Sequence, residues 1–189
     1  LTSVIKFPIG KKIEMYEIPN SVTTIEEWAF DGCSALQKIE IPNSVTTIGE
    51  YAFNACTALT KIEIPSSVVS LGRRVFEGCI NLKTLINFSS LEINISSNDN
   101  DSHMPSYQGQ DIIKIDAPNG SVVDDFVFAI KNSKLTLCGY IGDKTELQLP
   151  INYKNDKYEI GAKAFEDYDL ITKVVIPNGI VIGANAFCA

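Results

Sequence analysis

Histidine is almost absent from this sequence. His103 is the one imidazole in 189 residues, and the five cysteines include no Cys-x-x-Cys pair. A multi-histidine zinc site or a His-Glu-x-x-His helix therefore cannot be assembled, and a zinc ribbon or thioredoxin-type redox site lacks its spacing. Long apolar runs are missing too: the longest span about five residues, as in Phe126 to Ile130, where a membrane helix needs ~20. Basic residues are in deficit, 16 against 23 acidic for a net charge of −7, and no sustained basic patch occurs. That balance argues against nucleic acid and anionic membranes as partners, and the short apolar runs argue against membrane insertion. The chain opens at Leu1 with no signal-peptide pattern, which reads as a mature or trimmed chain and leaves its natural compartment open. Leucine is sparse as well, with 12 residues against 25 Ile and 12 Val. A β-branched excess of this kind argues for strands over a helical bundle.

What the sequence does have is a repeat. Segments beginning at Ile18, Ile41 and Ile64 read Ile-Pro-Asn-Ser-Val-Thr-Thr-Ile, the same again, and Ile-Pro-Ser-Ser-Val-Val-Ser-Leu, at a period of 23 residues. Pro19, Pro42 and Pro65 are followed in register by Phe30, Phe53 and Phe76, then Cys33, Cys56 and Cys79, then Leu36, Leu59 and Leu82. With insertions allowed, seven strand-forming segments emerge, ending at Pro19, Pro42, Pro65, Phe88, Pro118, Pro150 and Pro177.

One unit explains the architecture. In Leu36 to Pro42, Ile39 and Ile41 point one way while Lys38 and Glu40 point the other, the period of a half-buried strand. Proline ends that strand because it has no N–H to give. Ile25, Ala29, Phe30 and Cys33 then fall on the stripe of a short buried helical turn, stopped by Gly32 and Gly78 where the middle unit has Ala55. Such a unit cannot bury its apolar face alone, so the units must stack into a solenoid with a continuous core.

These residues resemble a known family. The pattern Leu-x-x-Ile-x-Ile-Pro-x-Ser-Val-x-x-Ile-Gly-x-x-Ala-Phe-x-x-Cys-x-x-Leu is similar to the leucine-rich repeat of BspA-like bacterial surface proteins. It is close over 13–86 and again over 158–188, where Ile160-Gly161, Ala164-Phe165, Ile182-Gly183 and Ala186-Phe187 recur. Residues 135–150 are similar to a segment common at the start of such arrays, whereas the Ala-Phe and Cys columns vanish over 87–134. The expected fold is a leucine-rich repeat solenoid of mixed α/β repeats, with a parallel sheet on the concave side and short helical turns opposite. We expect a single array over 1–189, with regular repeats at 13–93, an irregular insertion at 94–134 and a second run at 135–189. A two-domain split near 95–125 is the competing organisation. Residues 94–110 read as a long polar loop, and Phe126–Ile130 with Lys134–Leu137 read as a β-hairpin projecting from the stack. At the end of the chain, Phe187 precedes Cys188-Ala189 without the unit's Cys and Leu columns, so the last core layer is expected to need a cap or a covering molecule.

Stacked strands put equivalent side chains into columns. One column reads Met15, Lys38, Lys61, Thr84, Lys114, Glu146, Lys173, and its neighbour reads Glu17, Glu40, Glu63, Ile86, Asp116, Gln148, Val175. A concave sheet is where solenoids bind partners, so Lys38, Glu40, Lys61, Glu63, Lys114, Asp116 and Lys173 are the candidate binding residues. The competing reading is a solvated face whose opposite charges neutralise each other. Cys33, Cys56 and Cys79 are expected as reduced core thiols, while Cys138 and Cys188 lie outside that column. His103, near Asp99 and Asp101, matches no calcium-loop pattern and reads as an uninvolved loop residue. Glu17, Glu40 and Glu63 are spaced superficially like a glycosidase pair, yet an open lysine-flanked sheet offers no pocket to raise one carboxylate. Trp28 and Tyr51 head a column continued by Arg74, Lys163 and Asn185, expected on the convex face as an edge cover or small aromatic patch.

The resemblance implies a non-catalytic, secreted or cell-surface module of a bacterium or protist, without cofactor or metal. It implies adhesion to extracellular or host proteins, with glycans as further candidates. A structural spacer within a larger surface protein is the alternative, and a carbohydrate-active enzyme the remote one.

Overall fold

A computed structural model describes residues 3–4, 7, 12–93, 113–166 and 168–188. The expected 94–110 loop, His103, Asp99 and Asp101 lie outside the described residues. The chain divides into two compact units, 1–114 and 115–189.

The first unit consists of stacked rungs, each with two short strands joined by a proline turn. In chain order they are β1 (Ser3–Val4), β2 (Met15–Glu17), β3 (Thr24–Ile25), β4 (Lys38–Glu40), β5 (Thr47–Ile48), β6 (Lys61–Ile64), β7 (Ser70–Leu71) and β8 (Thr84–Asn87). The even-numbered strands are the ones read from the period-2 alternation. The odd-numbered ones were not anticipated: Thr24–Ile25, Thr47–Ile48 and Ser70–Leu71 extend a second parallel sheet in the order β1-β3-β5-β7. Between the two strands of a rung, Val22, Val45 and Val68 donate to the carbonyls of Pro19, Pro42 and Pro65 at 2.9 to 3.1 Å. Proline thus starts a tight turn that redirects the chain into the second strand.

The expected helical turns are not found: no helix occurs among the described residues. An α-helix needs each N–H to reach the carbonyl four residues back. Here alternate donors do something else. Trp28, Phe30 and Gly32 donate to Glu50, Ala52 and Asn54 of the next rung, at 3.1, 2.7 and 2.9 Å. Ala29, Asp31 and Cys33 make local bonds, to Glu26, Trp28 and Phe30, each 3.2 Å. The same alternation recurs one rung on, from Tyr51 to Cys56. Positive φ at Trp28 (59°), Tyr51 (54°) and Arg74 (49°) breaks the right-handed path that a helix requires. Ala29, Phe30 and their repeats still face inward, as the stripe predicted, but on a chain of turns.

The core consists of straight columns. Phe30, Phe53 and Phe76 are almost wholly buried, with ring centroids 5.2 and 5.7 Å apart and planes within 11°. Columns of Val22/Val45/Val68, Leu36/Leu59/Leu82 and Ile39/Ile62/Leu85 surround them. At the fourth rung, Asn87 takes the place of an inward Ile and is buried. Its amide donates to the Leu91 carbonyl at 2.8 Å and its oxygen accepts from the Ser89 N–H at 3.1 Å. That bonding satisfies the buried amide, as its position requires.

The boundary between the units falls within β9 (Ile113–Asp116). In the second unit, β10 (Ser121–Val123), β11 (Phe126–Lys131) and β12 (Lys134–Tyr140) form an antiparallel meander. The rungs of this unit follow as β13 (Glu146–Gln148), β14 (Glu159–Ile160), β15 (Lys173–Val175) and β16 (Val181–Ile182). The expected hairpin is present as β11–β12, turning at Asn132 and Ser133, whose φ angles of 50° and 62° fit a two-residue turn of the primed type. It does not project. β12 pairs in parallel with β14 and β14 with β16, while Val127, Phe128 and Ala129 are buried. With Val127, Phe128 and Ala129 buried on both faces the hairpin cannot stand alone in water, so it is built into the sheet β10-β11-β12-β14-β16.

Candidate functional site

The ladder registers create the columns read from the sequence. Met15 stands opposite Lys38 and Glu17 opposite Glu40; Lys61 faces Thr84 and Glu63 faces Ile86; Glu146 faces Lys173 and Gln148 faces Val175. The candidate residues of the first unit come together within their own strands. Lys38 Nζ lies 2.6 Å from Glu40 Oε1, and Lys61 Nζ lies 2.9 Å from Glu63 Oε1. In the second unit the pairing runs across strands, with Lys173 Nζ 3.3 Å from Glu146 Oε2. Lys114 and Asp116 both sit on β9, Lys114 half-buried and Asp116 exposed. The hydrogen bond from Lys38 to Glu40, then the Glu40 charge and the more distant Glu63 and Glu17, hold the Lys38 ammonium above the ordinary lysine range. The acidic column therefore acts on the lysine column electrostatically as well as by contact.

The face is not uniform. β2 ladders with β4 and β6 with β8, but β4 and β6 belong to separate ladders. A groove of about 590 Å3 opens there, lined by Gln37, Lys38, Glu40, Thr60, Lys61 and Glu63 over Ile39 and Ile41. Four of the candidate residues thus share one depression, the part of the face where a ligand could reach both charge signs together.

On the turn side, Trp28 and Tyr51 stack at 4.1 Å with planes 5° apart, both half-buried. Arg74 completes the ladder, its Cζ 6.0 Å from the Tyr51 centroid and its Nη1 3.0 Å from the Tyr51 hydroxyl. The first three members of the column read from the sequence are a contiguous stack, with Tyr51 between Trp28 and Arg74.

Cysteine chemistry is quiet. All five thiols are free. Cys56 and Cys79 are buried and donate to the Phe30 and Phe53 carbonyls at 3.2 and 3.1 Å. Burial, with the neighbouring Cys56 and Asp31, pushes half-buried Cys33 up to about 11. For Cys56, the hydrogen bond with Cys79 and burial both raise the thiol pKa. Burial also raises half-buried Cys138, whereas Cys188 is exposed. Among the described residues no group of three or more His, Cys, Asp or Glu is placed to hold a metal ion. Among the same residues no helix is long and apolar enough to cross a membrane.

The sequence profile of the BspA type leucine-rich repeat region matches residues 7–128 and 145–189, in six copies. Among curated proteins no sequence matches the chain. Among solved structures, a leucine-rich repeat protein from Eubacterium ventriosum is 22% identical at a TM-score of 0.52, over 98% of this chain and 45% of that one. A leucine-rich cell surface protein from Faecalibacterium prausnitzii is 24% identical at a TM-score of 0.40, over 93% of this chain and 38% of that one. A leucine-rich repeat protein from T. pallidum is 20% identical at a TM-score of 0.38, over 90% of this chain and 60% of that one. This chain spans less than half the length of the first two. The E. ventriosum likeness shows a shared fold. With the profile matched over most of its length, the chain belongs to the BspA-type leucine-rich repeat family.

Proposed function

We propose that this chain is a non-catalytic recognition module of a cell-surface protein, and that it binds extracellular proteins through the Lys38–Glu40–Lys61–Glu63 groove. The observation that carries the reading is the missing ladder between β4 and β6, where a charged groove opens over apolar Ile39 and Ile41 in a first unit whose other neighbouring strands are laddered. Family membership supports it, since the BspA-type repeat resembles that of bacterial surface proteins with adhesive roles. Lys114, Asp116 and Lys173 are further candidate contacts, each taken on its own strand and not as part of the groove.

A second reading is favoured by the ion pairs themselves. Lys38 and Lys61 are each satisfied by a carboxylate two residues away, which suits a solvated spacer segment of a larger surface protein. One experiment separates the two. The chain is screened against immobilised matrix proteins and glycans, and any hit is repeated with a variant carrying Lys38→Glu, Glu40→Lys, Lys61→Glu and Glu63→Lys. Recognition predicts saturable binding that the reversal abolishes; unchanged affinity would sink the groove, and no hit at all leaves the spacer reading standing.

A further inference from the structure

The second unit holds a cleft of about 660 Å3 that shares only Gln148 with the two charged repeat columns. Its floor is apolar, made by Phe126, Phe128 and Leu149, and exposed Val123 and Ile151 form its rim. Register fixes its axis. Val123 pairs with Phe126 and Ser121 with Phe128, so the cleft follows β10 and β11 for two residues, roughly 6.6 Å.

The two ends carry opposite charge. At one end the Asp124–Asp125 turn joins β10 to β11, beside Phe126 and Tyr140, whose rings lie 5.2 Å apart. The Asp125 carboxylate crosses Gly142, where an added Cβ would stand 2.9 Å from Asp125 Oδ2 and 2.2 Å from Tyr140 Oη. Lys144, whose backbone N–H donates to Tyr140 Oη at 3.2 Å, also lines the cleft but makes no ion pair with Asp124 or Asp125. With two carboxylates to one ammonium, the end is acidic on balance. At the other end Ser121 shares a hydrogen bond with Tyr153, and Phe128 stacks on Tyr153 at 4.4 Å. Lys154 Nζ lies 5.1 Å from the Tyr153 centroid. Burial pushes the Tyr153 phenol up, but the Ser121 hydrogen bond and the Lys154 ammonium outweigh it and leave the group below its ordinary value. Among the described residues Asp124, Asp125 and Lys154 form no ion pair with one another or with any other side chain.

A ligand complementary to this order must be cationic, then aliphatic, then anionic. A basic amino-acid residue with a free carboxylate has that order within one residue. The cleft volume lies within the range of sites that hold small ligands, and a chain of net charge −7 attracts cationic ones. We propose that this cleft binds the C-terminus of a peptide ending in arginine or lysine. The basic head sits against Asp124 and Asp125, the stem over Phe126 and Leu149, and the terminal carboxylate toward Lys154. An arginine head adds bidentate hydrogen bonding that lysine cannot make.

The test uses a fluorescein-labelled peptide, Ala-Gly-Ala-Arg with a free C-terminus, its C-terminal amide, and Ala-Gly-Ala-Ala, followed by anisotropy on the whole chain. Wild type is expected to bind the first saturably, and less tightly as salt rises. Amidation, replacement of the arginine, the D124N/D125N pair and Lys154→Gln are each expected to weaken binding by about tenfold or more, the loss of a charged hydrogen-bond partner. Asparagine tolerates the left-handed conformation of Asp124 and Asp125 (φ 50° and 66°), so that variant keeps its turn. No saturable binding by wild type at millimolar peptide would overturn the proposal, as would undiminished binding by D124N/D125N or equal binding of the amide. The four-fold reversal at Lys38, Glu40, Lys61 and Glu63 is expected to leave peptide binding intact, and its loss would overturn the assignment to this cleft. Failure here leaves the groove of the first unit untouched.

Discussion

The thiol of Cys56 donates to the carbonyl of Phe30 at 3.2 Å, across 26 residues of sequence, and Cys79 repeats the bond to Phe53 at 3.1 Å. A column that looks like small apolar filler therefore also brings a second donor to carbonyls of the preceding rung that already accept the Cys33 and Cys56 N–H groups. Cys56→Ala is expected to cost about 1–2 kcal/mol in urea unfolding, from the lost S–H bond and the lost sulfur volume, the Phe30 carbonyl keeping the Cys33 N–H as its donor. An apolar-filler role alone predicts that Cys56→Val does better than Cys56→Ala; the bond predicts that both lose it.

Thiol reactivity follows from the same burial. Under native conditions Cys188 is expected to react first with a thiol reagent, because it is exposed. Cys56 and Cys79 are expected to remain unreactive until the chain unfolds, when all five titrate. Half-buried Cys33, pushed up to about 11, is expected to be slow at pH 8 despite its access to solvent. Fast labelling of Cys56 in the folded chain would contradict the packed column.

Alkaline pH should unfold the chain progressively. Cys33 is raised from 9.0 to about 11, and burial raises Tyr158 and Tyr168 from 10.0 to about 12. Each group is neutral when folded, so its contribution is complete below the unfolded pKa and is lost as pH rises through the folded one. Urea midpoints are expected to hold up to about pH 9 and to fall between pH 9 and 12. Replacing Cys33 with alanine should flatten the first part of that fall.

Backbone crowding gives a sharper test. A Cβ on Gly72 would stand 2.3 Å from the Glu50 nitrogen and 2.6 Å from its Cα, both main-chain atoms that cannot swing away. Gly72→Ala is expected to cost more than about 2 kcal/mol. Ala55 shows the opposite case. It holds φ at 53° where Gly32 and Gly78 serve in the adjacent rungs, and Ala55→Gly is expected to gain about 0.5–1 kcal/mol once the flexibility of glycine in the unfolded chain is subtracted. Both are read from denaturation midpoints.

Trp28 is the one tryptophan in the sequence, and its stacking on Tyr51 makes it a local reporter. Tyr51→Ala should shift the Trp28 emission to longer wavelength and cost roughly 1–2 kcal/mol, because the Arg74 contact leaves with the ring. An unchanged spectrum would mean that the stack does not persist in solution.

Much of this architecture is legible in the sequence because the repeat states it several times. The Phe, Leu and Val columns and the Lys38 and Lys61 strands follow from periodicity, and the β11–β12 hairpin from the apolar runs that flank Lys131-Asn132-Ser133. The turn side misleads because inward residues at Ile25, Ala29, Phe30 and Cys33 suit a helix and a chain of turns equally. Only the destination of the Phe30 and Gly32 donors, in the next rung, separates the two. The gap between β4 and β6 is invisible for another reason: both carry Lys-Ile-Glu, so nothing local marks one junction apart from the rest. The cleft of the second unit escapes because Lys154 comes to it from a segment remote from the Asp124–Phe128 hairpin, with no motif linking the two.

The alternation of donors along the turn side bears on how such a gene can change. Adding or removing a stretch of 23 residues returns every Phe30-like amide to an acceptor of the same kind, so recombination between repeats preserves the bonding. Inserting a single codon between Trp28 and Cys33 reverses the phase. Amides that reached outward to the next rung would point into their own turn, and the Phe column would rotate out of the core. Lineages built this way should vary in whole rungs and resist single-residue insertions at this one side, while tolerating them in the polar segments between rungs.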